Sequence, residues 1–193
     1  MPVTFYIPCL FGLEGLVGDE LRRLHMHHIR VENGHVLCEG TAADIARLNL
    51  NLRCGERVLI LMGMFTATSF DALFENTGAL PWENWVDRDG AFPVKGYSLD
   101  SALHSVPDCQ KIIKKSIAAR LGRKYGMEQL PETGVKHQVQ FAMMHDRAAL
   151  FLDTSGPGLH KRGYRAVGVE APLRETLAAA MVTLSRYRGM DPF

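Results

Sequence analysis

The pair Asn33-Gly34 constrains the first third of this chain more than any other feature. Both residue types tolerate positive φ, which the tightest antiparallel turn requires at its two central positions. Short apolar runs flank the pair, Ile29 to Val31 before it and His35 to Leu37 after it, so the segment is predicted to be a hairpin. Upstream, Val3 to Leu10 is rich in β-branched and aromatic residues and reads as a strand. Leu13, Leu16, Val17, Leu21 and Leu24 then recur at helical spacing. Downstream, Thr41 reads as the cap of a second helix, with Asp44 three positions on and Ile45, Leu48 and Leu52 as its stripe. Arg57 to Phe65 is a dense apolar run and predicts a strand buried on both faces.

The order is therefore β-α-β-β-α-β, the ferredoxin-like arrangement of an α+β domain. Such a fold hosts many chemistries, so function must come from particular residues. The rest of the chain is less regular. A short helix is expected from Ser69, ended by Leu80-Pro81-Trp82. Trp82 and Trp85 lie one turn apart; core packing is the favoured use and base stacking the other. Ala91 to Tyr97 reads as a strand, and Ser105, Pro107 and Asp108 start a long helix that runs to Tyr125. Val135 to Met144 and Arg147 to Asp153 read as a hairpin about His145-Asp146. A looser strand, His160 to Arg165, follows the turn Ser155 to Gly158.

An apolar content of 47% with 22% charged residues is enough to build a core across 193 residues. The formal net charge of +1 excludes nothing, because a local basic face can hide in a neutral total. Cys9, Cys38, Cys54 and Cys109 lie far apart with no Cys-x-x-Cys pair, which fits reduced thiols better than a disulfide scaffold or zinc site. The amino terminus lacks a basic segment before its apolar stretch, and apolar runs such as Val58 to Met62 are too short to span a bilayer. The expectation is a cytoplasmic location.

Positive charge is concentrated in the helix from Cys109 to Tyr125, which carries Lys111, Lys114, Lys115, Arg120, Arg123 and Lys124 and no acid. Ile113, Ile117, Leu121 and Tyr125 line one face; Lys111, Lys115, Arg120 and Arg123 fall on the remainder, and Lys114 fits the pattern poorly. Nucleic-acid phosphates suit such a face, because neutralising them releases counterions. A merely solvated face is the other reading. His160-Lys161-Arg162-Gly163-Tyr164-Arg165 adds three cations and an aromatic that can stack on exposed bases. His25, His27, His28 and His35 crowd together, yet no ligand spacing diagnostic of zinc accompanies them. Asp87 and Asp89 read as turn residues. No metal site and no catalytic constellation is expected from the order of residues.

Four stretches carry a resemblance: CLFGLEGLVGDELRRL, FDALFENTGALPWENWV, FPVKGYSLDSALHSVPDCQKIIKKSI, and LDTSGPGLHKRGYR followed by APLRETLAAAMVTLS. In this order they resemble the N-terminal region of bacterial THUMP-domain class I methyltransferases. Those enzymes are similar to the 23S rRNA guanine-N2 methyltransferases and often carry the label of N6-adenine-specific DNA methylase. The resemblance implies a ferredoxin-like domain over residues 1–66, a THUMP RNA-binding domain over 67–165, and a linker with a first helix over 166–193. It implies structured RNA of the 23S rRNA class as partner, with Lys95, Lys111, Lys115, Lys161, Arg162 and Arg165 on phosphates and exposed bases. The match ends at Asp191-Pro192-Phe193, before the glycines of a donor loop. The expectation is therefore an RNA-binding portion lacking the Rossmann-type methyltransferase domain, inactive by itself, with no cofactor in this chain and S-adenosylmethionine reserved for the parent enzyme. The apolar stripe Leu173, Leu177, Ala180, Met181 and Leu184 predicts self-association, helix disorder or a swapped helix. Two alternatives stand beside this reading: a ferredoxin-like structural or small-ligand module with no RNA role, and a complete enzyme of unknown class.

Overall fold

The structure, a computed structural model, describes residues 2–163, 172–185 and 187. It divides into two compact units, Met1–Ile60 with Thr154–Phe193, and Leu61–Asp153.

In the first unit, β1 (Val3–Pro8) is followed by α1 (Glu14–Arg23), β2 (His27–Glu32), β3 (His35–Gly40), α2 (Asp44–Asn51) and the start of β4 (Leu59–Thr66). The strand order is β2-β3-β1-β4, with β1 antiparallel to both neighbours. The hairpin forms where Asn33-Gly34 predicts it, and Gly34 takes φ of 77°. A carboxylate reinforces it: Glu14, at the head of α1, accepts from the amides of Gly34 and Gly12, both at 2.9 Å. The Gly34 amide is the main reason its carboxyl sits below the ordinary carboxylate value. Val3, Phe5 and Ile7 alternate inward along β1 and share the core with Val17, Leu21, Leu48 and Leu52.

Three expectations are corrected here. The Thr41 hydroxyl accepts no helix amide, although its carbonyl accepts from the Asp44 amide at 3.0 Å. Asp44 instead accepts from the Thr41 amide at 2.7 Å and its hydroxyl at 3.0 Å, so the aspartate organises the entry to α2. β4 is buried only at its start; the side chains from Leu61 onward are half-buried or exposed, and Met64 is 52% exposed. His160 to Gly163 form turns rather than strand, because Lys161 donates its amide to Gly158 and Leu159 donates to Glu56. Tyr164 and Arg165 lie outside the described residues.

α5 (Glu175–Leu184) also belongs to the first unit. Thr176 and Ala180 are buried, while Leu173, Met181 and Leu184 are exposed. Its first turn is tied down by Glu56, which accepts from the Thr176 hydroxyl at 3.2 Å and pairs with Arg174 at 3.5 Å.

The second unit continues β4 and adds α3 (Phe70–Ala79), a 3₁₀ turn (Trp82–Asn84), β5 (Val94–Leu99), α4 (Val106–Tyr125), β6 (Gln138–Met144) and β7 (Arg147–Asp153). β5 is an edge strand parallel to β6, and β6 forms an antiparallel hairpin with β7. His145 and Asp146 both have positive φ, as a two-residue turn of this kind requires. Ser69 caps α3 by accepting from Ala72. Trp82 is fully buried and donates its indole N–H to the Thr77 carbonyl at 2.8 Å, so it serves the core rather than nucleobases.

All four cysteines are free and buried. Desolvation holds the Cys9 thiol up at about 11 and those of Cys38 and Cys54 at about 12. Such thiols are poor nucleophiles at neutral pH. Among the described residues no three His, Cys, Asp or Glu side chains gather as a metal site, and no helix is long and apolar enough to cross a membrane.

Candidate nucleic-acid interface

α4 owes its length to good ends. Ser105 stands before it, Pro107 occupies its first turn, and the Ser105 hydroxyl donates to Asp108 at 2.5 Å. At the other end Gly126 adopts φ of 66°, and Met127 donates its amide to the Gly122 carbonyl at 2.9 Å. Cys109, Ile113, Ser116, Ile117 and Leu121 are buried against the second unit's core.

The six cations of this helix meet different fates. Arg120 is bidentate to Glu83, at 2.9 and 2.7 Å, and also donates to the Gly78 carbonyl at 3.0 Å. That guanidinium holds the Glu83 carboxyl at about 2, well below its ordinary value. Lys114 pairs with Glu132 at 2.9 Å and lies 5.5 Å from the centre of the Phe92 ring. These two are structural cations. Lys111 lies 3.6 Å from Asp108, but both side chains are solvated, so the pair is weak. Lys115, Arg123 and Lys124 are exposed and make no salt bridge among the described residues. Lys111 and Lys115 stand one turn apart, about 6 Å along the axis, on the side facing away from Ile113 and Ile117. The basic face is thus smaller than six charges, and it centres on Lys111, Lys115 and Arg123.

Of the other residues expected at the interface, Lys95 is exposed on β5. Its neighbour Gly96 faces Phe141 in the core beneath α4, so Lys95 points to the opposite side of the sheet and does not join the α4 cations. Lys161 and Arg162 belong to the first unit. Lys161 is exposed. Arg162 donates to the carbonyls of Leu159 at 2.9 Å, Leu50 at 3.0 Å and Leu52, so its guanidinium closes the end of α2. The turn before it is also committed internally, since Arg57 donates to the Gly156 carbonyl at 2.6 Å. Between α2 and this turn lies an open cavity of about 870 Å³, with Ile45, Leu50, Pro157 and Lys161 among its lining residues. Arg165 lies outside the described residues.

Sequence reasoning missed Glu83 as the partner of Arg120, and it missed the exposure of Tyr97. A signal for Tyr97 was present: Val94, Gly96 and Ser98 alternate with the larger Lys95, Tyr97 and Leu99, and the latter three are exposed.

Comparison with known proteins gives a consistent order of domains. The profile of the RlmL ferredoxin-like domain matches residues 4–59, that of the THUMP domain 67–153, and that of the RMKL-like methyltransferase domain 162–193. "Putative RNA methyltransferase YpsC" of Bacillus subtilis is 44% identical over 184 residues, covering 94% of this chain and 48% of that protein. "Ribosomal RNA large subunit methyltransferase K/L" of Syntrophotalea carbinolica is 31% identical, covering 94% of this chain and 26% of that protein. The chain therefore spans about half the length of the first relative and about a quarter of the second. Among solved structures, a predicted N6-adenine-specific DNA methylase of Listeria monocytogenes superposes with a TM-score of 0.93 at 47% identity, covering 97% of this chain and 49% of that one. "SMU.472, a putative methyltransferase complexed with SAH" superposes with a TM-score of 0.95 at 38% identity, covering 100% and 51%.

These matches correct three expectations. A fold lacking the methyltransferase domain does not stand, because residues 162–193 match that domain's profile. Within that stretch, α5 buries Thr176 and Ala180, so part of the expected exposed stripe is packed within the described fold. The view of an isolated RNA-binding portion, and its alternative of a module with no RNA role, give way to matches that run from the ferredoxin-like domain into the methyltransferase domain. The expectation of no cofactor in this chain falls with them, the solved SMU.472 protein being complexed with SAH. In sequence, domain order and fold, the chain matches the N-terminal region of the bacterial THUMP-domain methyltransferases.

Proposed function

We propose that this chain serves S-adenosylmethionine-dependent methylation of RNA, with large-subunit ribosomal RNA as the substrate class. The observation that carries the reading is the solvated face of Lys111, Lys115 and Arg123 within the residues matched by the THUMP profile. Phosphates approaching that face meet cations that no buried carboxylate neutralises, so binding releases counterions at little desolvation cost. The names of the relatives support RNA as the substrate, and the ligand held by SMU.472 supports S-adenosylmethionine as donor. The match of residues 162–193 to the methyltransferase-domain profile supports donor chemistry in that part of the chain. Lys161 is an additional contact in this reading, whereas Arg162 orders the end of α2.

The test is to mix the chain with tritium-labelled S-adenosylmethionine and large-subunit rRNA. Label is expected in the RNA. Retention of RNA without transfer would overturn the donor half of the reading, and failure to retain either RNA or donor would overturn both halves.

A further inference from the structure

Among the described residues of the second unit, the sheet face opposite α4 carries several exposed side chains, although Phe151 on it is buried. α4 packs on the side of Phe141 and Val139, which are buried. On the other side the register aligns three rows across β5, β6 and β7: Lys95–Gln140–Phe151, Tyr97–Ala142–Ala149 and Leu99–Met144–Arg147. Tyr97 is 47% exposed, Leu99 54% and Met144 44%. The middle row is the informative one. Beside the Tyr97 ring stand two alanines, both half-buried and therefore reachable, so the floor next to the ring is low for about two strand spacings, roughly 10 Å. Leu99 and Met144 form one wall, and the Tyr97 hydroxyl reaches the Met144 sulfur at 3.9 Å. The Gln140 row forms the other wall, its amide held by Asp153 at 2.8 Å.

Two exposed cations flank the trough, and the carboxylates near it, Asp153 and Asp146, are engaged by amide donors without losing their charge. Lys95 lies two residues from Tyr97 on the same strand, and Arg147 ends the Leu99 row; both are exposed, with no salt bridge among the described residues. Asp153 carries the Gln140 amide, and the nearby Asp146 carboxylate accepts the Ala102 amide at 2.7 Å. The turn that presents Met144 and Arg147 is also held by the Ser101 hydroxyl, which accepts from the Asp146 amide at 3.1 Å.

We propose that this trough is a stacking site for an unpaired RNA nucleobase, with Tyr97 as the platform and Lys95 and Arg147 receiving the flanking phosphates. An aromatic ring above a low floor between cations suits a flat, uncharged base attached to an anionic backbone. It suits a peptide strand poorly, because Lys95 sits on the open edge and disfavours strand addition. The α4 cations lie on the opposite side and would contact paired RNA through phosphates alone. The proposal rests on the RNA reading above and adds to it a division of labour between the two faces.

The experiment uses the whole chain and two RNAs of equal length, a duplex and a hairpin with an unpaired uridine-rich loop. Wild-type protein is expected to prefer the looped RNA. Tyr97→Ala should weaken the looped RNA about tenfold and leave the duplex unchanged. Tyr97→Leu keeps apolar bulk, guards against misfolding, and should lose the preference equally; Tyr97→Phe should retain it. Lys111→Gln with Lys115→Gln should weaken both RNAs alike. A Tyr97→Leu variant with the wild-type preference for looped RNA overturns the stacking site while the RNA reading stands. Failure of the wild-type chain to bind either RNA overturns the two together.

Discussion

Gly96→Ala is expected to destabilise the second unit by about 3 kcal/mol, the upper part of the range for overpacking. β5 and β6 are parallel, and Gly96 lies opposite Phe141. A Cβ at position 96 would stand 2.2 Å from the Phe141 carbonyl oxygen and 2.3 Å from its ring. The obstacle includes backbone, so a rotamer change cannot relieve it, and the ring belongs to a fully packed core. Either the edge strand moves off the sheet or the Phe141 ring leaves its place. The chain holds two tryptophans, Trp82 and Trp85, and both belong to this unit. Their fluorescence therefore follows its unfolding without interference from the first unit. Gly126→Ala provides the contrast. Gly126 has positive φ, but its Cβ would meet nothing within 4 Å, so only the conformational cost of about 1 kcal/mol applies. Equal losses in the two variants would show that the close approach of Phe141 does not matter.

Glu83→Gln is expected to cost about 2–3 kcal/mol, because it breaks a bidentate ion pair and leaves the Arg120 guanidinium half-buried without its anion. The pair joins the 3₁₀ turn to α4, and Arg120 also caps the carbonyls of Gly78 and Ala79 at the end of α3. Its acid dependence has a definite sign. The folded carboxyl is held at about 2 against an ordinary value of 4.5, so the folded state binds fewer protons than the unfolded state between these values. The stabilisation is complete above the ordinary value and is lost as pH falls through the window from 4.5 to about 2. Wild-type stability should fall across that window more steeply than that of Glu83→Gln, as read by denaturant titration with tryptophan fluorescence. Parallel curves would contradict the ion pair's role.

Legibility in the sequence followed the range of the interactions. Asn33-Gly34 and His145-Asp146 announce their turns through local backbone preference, with positive φ at Gly34 alone in the first and at both residues in the second. The helical stripe of Ile113, Ile117 and Leu121 announces α4 for the same local reason. What could not be read are pairings between distant segments. Nothing near Arg120 in sequence predicts Glu83, yet that contact removes one cation from the basic face. Glu132 removes Lys114 in the same way, and the carbonyls of Leu50 and Leu52, more than a hundred residues earlier, take up Arg162. The apolar run of β4 predicts burial, but apolar content is not burial, and Met64 is 52% exposed. Lys95 stands on the opposite side of the sheet from the α4 cations, a placement set by strand alternation.

The salt dependence of RNA binding by the whole chain tests the central claim most directly. With Lys111, Lys115 and Arg123 as the main phosphate contacts to duplex RNA, the logarithm of its association constant should fall with the logarithm of salt concentration with a slope of about −3. Lys111→Gln combined with Lys115→Gln should reduce that slope by about 1.5 or more, whereas Arg162→Gln, which removes a helix-end contact, should leave the slope unchanged. A flat salt response, or a slope that the double variant does not alter, would contradict the account.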